Sequence, residues 1–196
     1  MSILLFRLWI GLMRNIFFNK SELEIVDVSV LRAEELVNNF FKLSPGQWLK
    51  NRYDIKTAVE LSRHERVDGP FAQVLKYEGR KVDAPLGSSS FSLYHVCLQD
   101  PAILELVSRR PQIKLSPFLL YILIHELVHV VRFSRFEHRY ENTSEAGVTL
   151  EEERKVHGLT HKIIRLSSVS GVSEVLEFYG EWVGFVGEGV TGKNFK

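Results

Sequence analysis

The chain has a single cysteine, Cys97, in 196 residues. No intrachain disulfide can form, and a cysteine-based zinc site is excluded, so any metal must be held by His, Asp or Glu. One thiol fits a reducing compartment, and the expected location is the cytoplasm. An excess of charge of one sign is also missing: 25 Lys and Arg stand against 24 Asp and Glu, a net charge of +1. No global field would gather nucleic acid, and none is expected as a partner. Repeats, low-complexity tracts and an evident linker are absent as well, so residues 1–196 are read as one domain.

The N-terminus lacks an unbroken apolar run. "MSILLFRLWIGLMRNIFF" is interrupted by Arg7 and Arg14, and its uncharged runs fall well short of the roughly 20 residues of a spanning helix. Its charges lie within the apolar stretch, whereas a signal peptide carries them before it. Residues 1–20 are expected to form an apolar helix with both arginines on one face. A true span or signal is the least favoured of three readings, and the other two are these. The helix docks on the domain, or residues 3–18 make a peripheral membrane contact and the protein is membrane-associated.

Further elements follow from periodicity and punctuation. Residues 30–43 have helical spacing, and 55–63 could form a short helix. Glu78-Gly79-Arg80 signals a hairpin turn between two short strands. Residues 91–98 read as a strand closed by Asp100-Pro101, and 101–109 as a helix. A helix over 117–134 is expected, with Ser116 as N-cap and Pro117 first. After a polar loop, 135–149, a helix over about 150–168 would be capped by Thr149, with Glu152 in the N3 place. Residues 173–186 form a last short helix, and 187–196 a frayed tail.

What the sequence does have is "ILIHELVHVV", residues 122–131. His125 and His129 are four apart, so on a helix they stack one turn apart on one face. That spacing lets both imidazoles reach one Zn²⁺ at about 2.0–2.1 Å. Glu126 projects beside such a metal and is placed to act as general base on a zinc-bound water. The bland alternative, a core helix with incidental histidines, must bury two imidazoles and a carboxylate among Ile, Leu and Val without partners.

A catalytic zinc needs a third protein ligand and one open position. Metzincin spacing would put a histidine six residues after His129, where Arg135 stands. His138 lies in the loop. The next helix offers Glu151, Glu152, Glu153, His157 and His161. HExxH with a glutamate on a following helix resembles the gluzincin type of zinc metallopeptidase. Several such families carry the glutamate in an E-x-x-A-D or E-x-x-A-N pattern, which "ERKVH", residues 153–157, resembles. The resemblance covers about residues 117–166. It implies Glu153 as the third ligand, Val156 as the packing residue, and His157 in place of the Asp or Asn that supports a ligand. His157 departs from that pattern, so it either supports Glu153 or binds the metal itself. The gap of 24 positions between His129 and Glu153 is similar to that of compact intracellular peptidases that cleave phage-type repressors.

Periodicity keeps a second ligand open. Glu152 falls in line with Val156, Leu159, Ile163 and Leu166, while Glu153 shares a face with Val156, His157, Thr160 and Ile164. His161 is expected at a solvent edge. Tyr140 or His138 could donate to an oxyanion. The strand 91–98 could bind an extended peptide along its edge. The expected fold is α+β and zincin-like: a small mixed or antiparallel sheet on the active-site helix, with a second helix supplying the glutamate. The expected function is zinc-dependent hydrolysis of a peptide or protein substrate. The alternative is a non-catalytic zinc-binding regulatory protein in which the site is structural.

Overall fold

The computed structural model describes residues 17–44, 52–80, 90–135 and 146–187. They form a mixed α/β fold with five α-helices and a three-stranded mixed sheet. Helix α1 spans Lys20–Phe41, followed by β1 (Arg52–Lys56), β2 (Ala72–Arg80) and β3 (Ser90–Leu98). Four helices complete the chain: α2 (Asp100–Arg109), α3 (Leu115–Ser134), α4 (Ala146–Ile164) and α5 (Val172–Gly187).

Helix α1 starts ten residues before the expected one, because a capping box sets its origin. The Asn19 side chain accepts from the Glu22 backbone N–H, and Glu22 accepts from that of Asn19. Residues 17–19 are not helical, so the apolar helix expected over 1–20 does not run into α1; residues 1–16 lie outside the described residues. Phe18 is buried in the core. Its backbone N–H donates to the buried Asp100 carboxylate at 3.2 Å, and Ala58 donates to the same group at 2.9 Å. One carboxylate thus ties together the entry to α1, the chain after β1 and the start of α2.

β3 is the central strand, parallel to β1 and antiparallel to β2. Both its edges are paired, so it cannot take a peptide as an added strand, contrary to the expectation from sequence. Two further expectations fail here. Residues 55–63 are not a helix: Ile55 and Lys56 end β1, and a turn leads from there to a 3-10 turn at Arg63–Glu65. Glu78-Gly79-Arg80 is no turn: these residues pair with Ser92, Phe91 and Ser90, so β2 continues through the glycine.

Tyr53, Ile55, Val74, Tyr94 and Val96 share one sheet face and pack with Val130 and Phe133 of α3. The opposite face is polar. There Glu65, on a 3-10 turn, accepts from Lys56 Nζ at 3.2 Å, Ser62 Oγ at 2.6 Å and Tyr77 Oη at 3.2 Å, and pairs with His95 Nδ1 at 2.8 Å. The Ser62 hydroxyl, with His95 and Lys56, outweighs the effect of burial and holds the Glu65 carboxyl well below the ordinary range.

Helix α3 is the spine. Phe118, Leu119, Leu123, Ile124 and Leu127 are fully buried, each worth about 1.5–3 kcal/mol of transfer free energy. It is apolar around most of its circumference because the sheet, α1, α4 and α5 all pack on it. It is long and apolar enough to cross a membrane, and 78% of that window is buried inside the fold. Its N-cap is Lys114 rather than Ser116, which puts Pro117 third in the helix; the first turn tolerates proline because its N–H groups lack helical partners. Helix α4 likewise begins before Thr149, at Ala146, so neither Thr149 nor Glu152 acts in a cap. The tail 188–196 lies outside the described residues.

Candidate metal centre

Two polar ladders face each other across α3 and α4. On α3, Tyr121, His125 and His129 recur every fourth residue; on α4, Glu153, His157 and His161 do the same. One helical turn separates successive rungs, so each set lies along one face. The ladders run in opposite directions. Glu153 meets His129 and His125, the His157 ring lies 4.4 Å from that of His125, and Tyr121 meets both His157 and His161.

At one end the donor atoms converge. His125 Nε2 and His129 Nε2 are 3.2 Å apart. Glu153 reaches His125 Nε2 with Oε2 at 3.3 Å and His129 Nε2 with Oε1 at 3.3 Å. A tetrahedral zinc with bonds of about 2.0–2.1 Å sets neighbouring ligand atoms about 3.3–3.4 Å apart. Two imidazoles and one carboxylate at this spacing suit a zinc ion in both chemistry and size. The side chains of His125 and His129 are 12% and 10% exposed, while that of Glu153 is 33% exposed, so the cluster opens to solvent on the Glu153 side.

The charges within the cluster are strongly coupled. Burial pushes the Glu153 carboxyl up, but hydrogen bonds from His125 and His129 outweigh it and hold the group well below the ordinary range. Burial pulls His129 down, but the Glu153 hydrogen bond and the Glu126 charge carry it above its usual value. An ionised carboxylate flanked by two imidazoles favours a cation between them, either a proton or a metal. Glu126 is buried beside them, and desolvation pushes its carboxyl up against the pull of His125 and His129. Among the described residues, no side chain donates a hydrogen bond to Glu126.

No family model, curated protein or solved structure matches the chain.

Glu152 is buried but turned away from the histidines. It accepts from Arg132 Nε at 2.5 Å and from Arg132 Nη2 at 2.9 Å. Of the two acids that the sequence left open, Glu153 is the one brought to the imidazoles. Val156 is fully buried beneath it. A nitrogen of His157 also approaches: ligand atoms of His125, Glu153 and His157 lie within 4.8 Å of one another, a looser set than the 3.2–3.3 Å triangle of His125, His129 and Glu153. Burial, helped by the His125 charge, depresses His157 to about 3. His161 is half-buried, between core and solvent: its Nε2 is buried without a partner, and its ring meets Tyr121 edge-on. His138 and Tyr140 lie outside the described residues.

Two residues of the site escaped sequence reasoning. Tyr121 lies one turn before His125, a position the helical period marks, and its hydroxyl is 2.8 Å from His157 Nδ1. Tyr179 of α5 stacks on Tyr121 at 3.9 Å between centroids and 12° between planes; nothing local in the sequence signals that contact. Elsewhere, a groove of about 850 Å³ between α1 and β1 is lined by residues such as Leu31, Tyr53 and Val59 and by no residue of the histidine cluster.

Proposed function

We propose that the protein is a zinc-dependent metallopeptidase of zincin-like architecture, similar to the gluzincins. The observation that carries this reading is the 3.2–3.3 Å triangle of His125, His129 and Glu153, with Glu126 buried next to it. These three residues would hold the ion. A bound zinc supplies Lewis acidity, which acidifies water and polarises a carbonyl.

The chain's own residues supply the rest. Glu126 takes a proton from the attacking water as its oxygen bonds to the scissile carbonyl carbon. It then gives that proton to the amide nitrogen, and the carbon–nitrogen bond breaks. A carboxyl whose burial raises its proton affinity suits both halves of this transfer. The apolar body of α3, with Leu127 and Val128 fully buried, excludes water behind the site. The opening at Glu153 gives a substrate its approach, and among the described residues the outer strands of the sheet are β1 and β2, since β3 is central.

The deciding experiment measures peptide hydrolysis by the zinc-loaded protein and by Glu126→Gln with equal zinc content. The reading expects cleavage by the parent and a loss of orders of magnitude in the variant. Equal rates would overturn it. The second reading, a structural zinc site closed by a fourth ligand, rests on His157, whose nitrogen approaches His125 and Glu153. It predicts zinc retention with no hydrolysis in either protein.

A further inference from the structure

We propose that Tyr121 keeps His157 from ligating the metal and so preserves an open coordination position. The inference rests on the reading that His125, His129 and Glu153 hold a divalent ion. Tyr121 is fully buried. Among the described residues, its hydroxyl meets one hydrogen-bonding partner, Nδ1 of His157 at 2.8 Å. A buried hydroxyl that fails to donate its proton carries the full penalty of its lost hydration. The acceptor at hand is the Nδ1 lone pair.

Tyr121 therefore donates, Nδ1 accepts, and the proton of the neutral imidazole resides on Nε2. A metal ligand needs a lone pair, and a protonated Nε2 has none to give. With the Nδ1 lone pair taken by the phenol and Nε2 protonated, His157 has no nitrogen lone pair left for a metal, although ligand atoms of His125, Glu153 and His157 lie within 4.8 Å of one another. The phenol is fixed in this role by its packing. Tyr179 stacks on it at 3.9 Å, and the ring of His161 meets it edge-on at 5.6 Å. Tyr121 is thus a positioning residue. It acts through the tautomer of His157, and it separates a three-ligand site from a closed four-ligand one.

The test uses the full chain loaded with Co²⁺, whose visible absorption reports coordination, and acetohydroxamate as a probe of the open position. The parent should bind one Co²⁺ and change its spectrum with acetohydroxamate. His157→Ala should keep the metal and the response. Tyr121→Phe frees Nδ1 to carry the proton and Nε2 to bind, so the response should vanish and release to EDTA should slow by roughly tenfold or more. The double variant Tyr121→Phe with His157→Ala should return to parental behaviour. Loss of metal from His157→Ala, or an unchanged response in Tyr121→Phe, would overturn the proposal. A parent that binds Co²⁺ no better than His125→Ala or Glu153→Ala instead defeats the metal reading, and this inference falls with it.

Discussion

Arg132 on α3 grips Glu152 on α4 through two parallel hydrogen bonds, Nε to Oε1 at 2.5 Å and Nη2 to Oε2 at 2.9 Å. Both side chains are largely buried, at 12% and 7% exposure. Adjacent helical residues point about 100° apart. Fixing Glu152 on Arg132 therefore fixes the rotation of α4 and aims Glu153 at the two histidines. The ion pair serves the centre without touching it.

Breaking this pair should destabilise the fold. Glu152→Ala removes the carboxylate that two hydrogen bonds tie to a largely buried guanidinium, and breaking a buried pair in this way costs about 3–5 kcal/mol. Urea unfolding of the metal-free protein checks the value. A loss near zero would mean that Arg132 finds water or another acceptor at no cost.

Metal content should separate the two adjacent glutamates. One zinc per chain should co-purify with the parent and with the folded fraction of Glu152→Ala. His125→Ala, His129→Ala and Glu153→Ala should each lose it, because each removes one corner of the triangle. Elemental analysis after dialysis against a chelator makes the comparison. Retention in Glu153→Ala would remove Glu153 from the ligand set.

Acid sensitivity should have a source remote from the histidine cluster. Glu65 is held below its ordinary value of 4.5 by Ser62, His95 and Lys56. A carboxyl depressed in the folded state contributes stability that is present above its unfolded pKa. That contribution is lost as pH falls from about 4.5 through the depressed folded value, because the unfolded chain binds the proton first. Glu65→Gln should therefore be less stable than the parent at neutral pH and less steeply dependent on pH below about 4.5. Denaturant unfolding across that range tests it, and parallel curves for the two proteins would contradict it.

The stacked tyrosines should matter through packing as well as hydrogen bonding. Tyr179→Ala removes the ring at 3.9 Å from Tyr121 and empties a buried position. Thermal or urea unfolding should show a loss of about 3–5 kcal/mol, as for other large aromatic truncations. A loss below about 1 kcal/mol would mean that α5 does not hold Tyr121 in place.

By itself, the sequence determined that His125 and His129 share a helical face with Glu126 beside them, because a period of 3.6 residues settles such neighbours without tertiary information. It also located β3, α2 and α5 nearly to the residue, since proline, glycine and apolar runs punctuate the chain there. The hairpin turn misplaced at Glu78-Gly79-Arg80 is a case where pairing with β3 overrode local signals, and the helix misplaced at 55–63 fails at its start, where Ile55 and Lys56 pair with β3 and a turn follows. The choice between Glu152 and Glu153 belonged to the tertiary structure. Both acids lie on plausible faces of α4, and contacts from another helix, the Arg132 pair among them, set the rotation. The same holds for Tyr121, His157 and Tyr179. Their contacts join three helices across 36 and 58 positions of sequence, and no local period encodes which faces will meet.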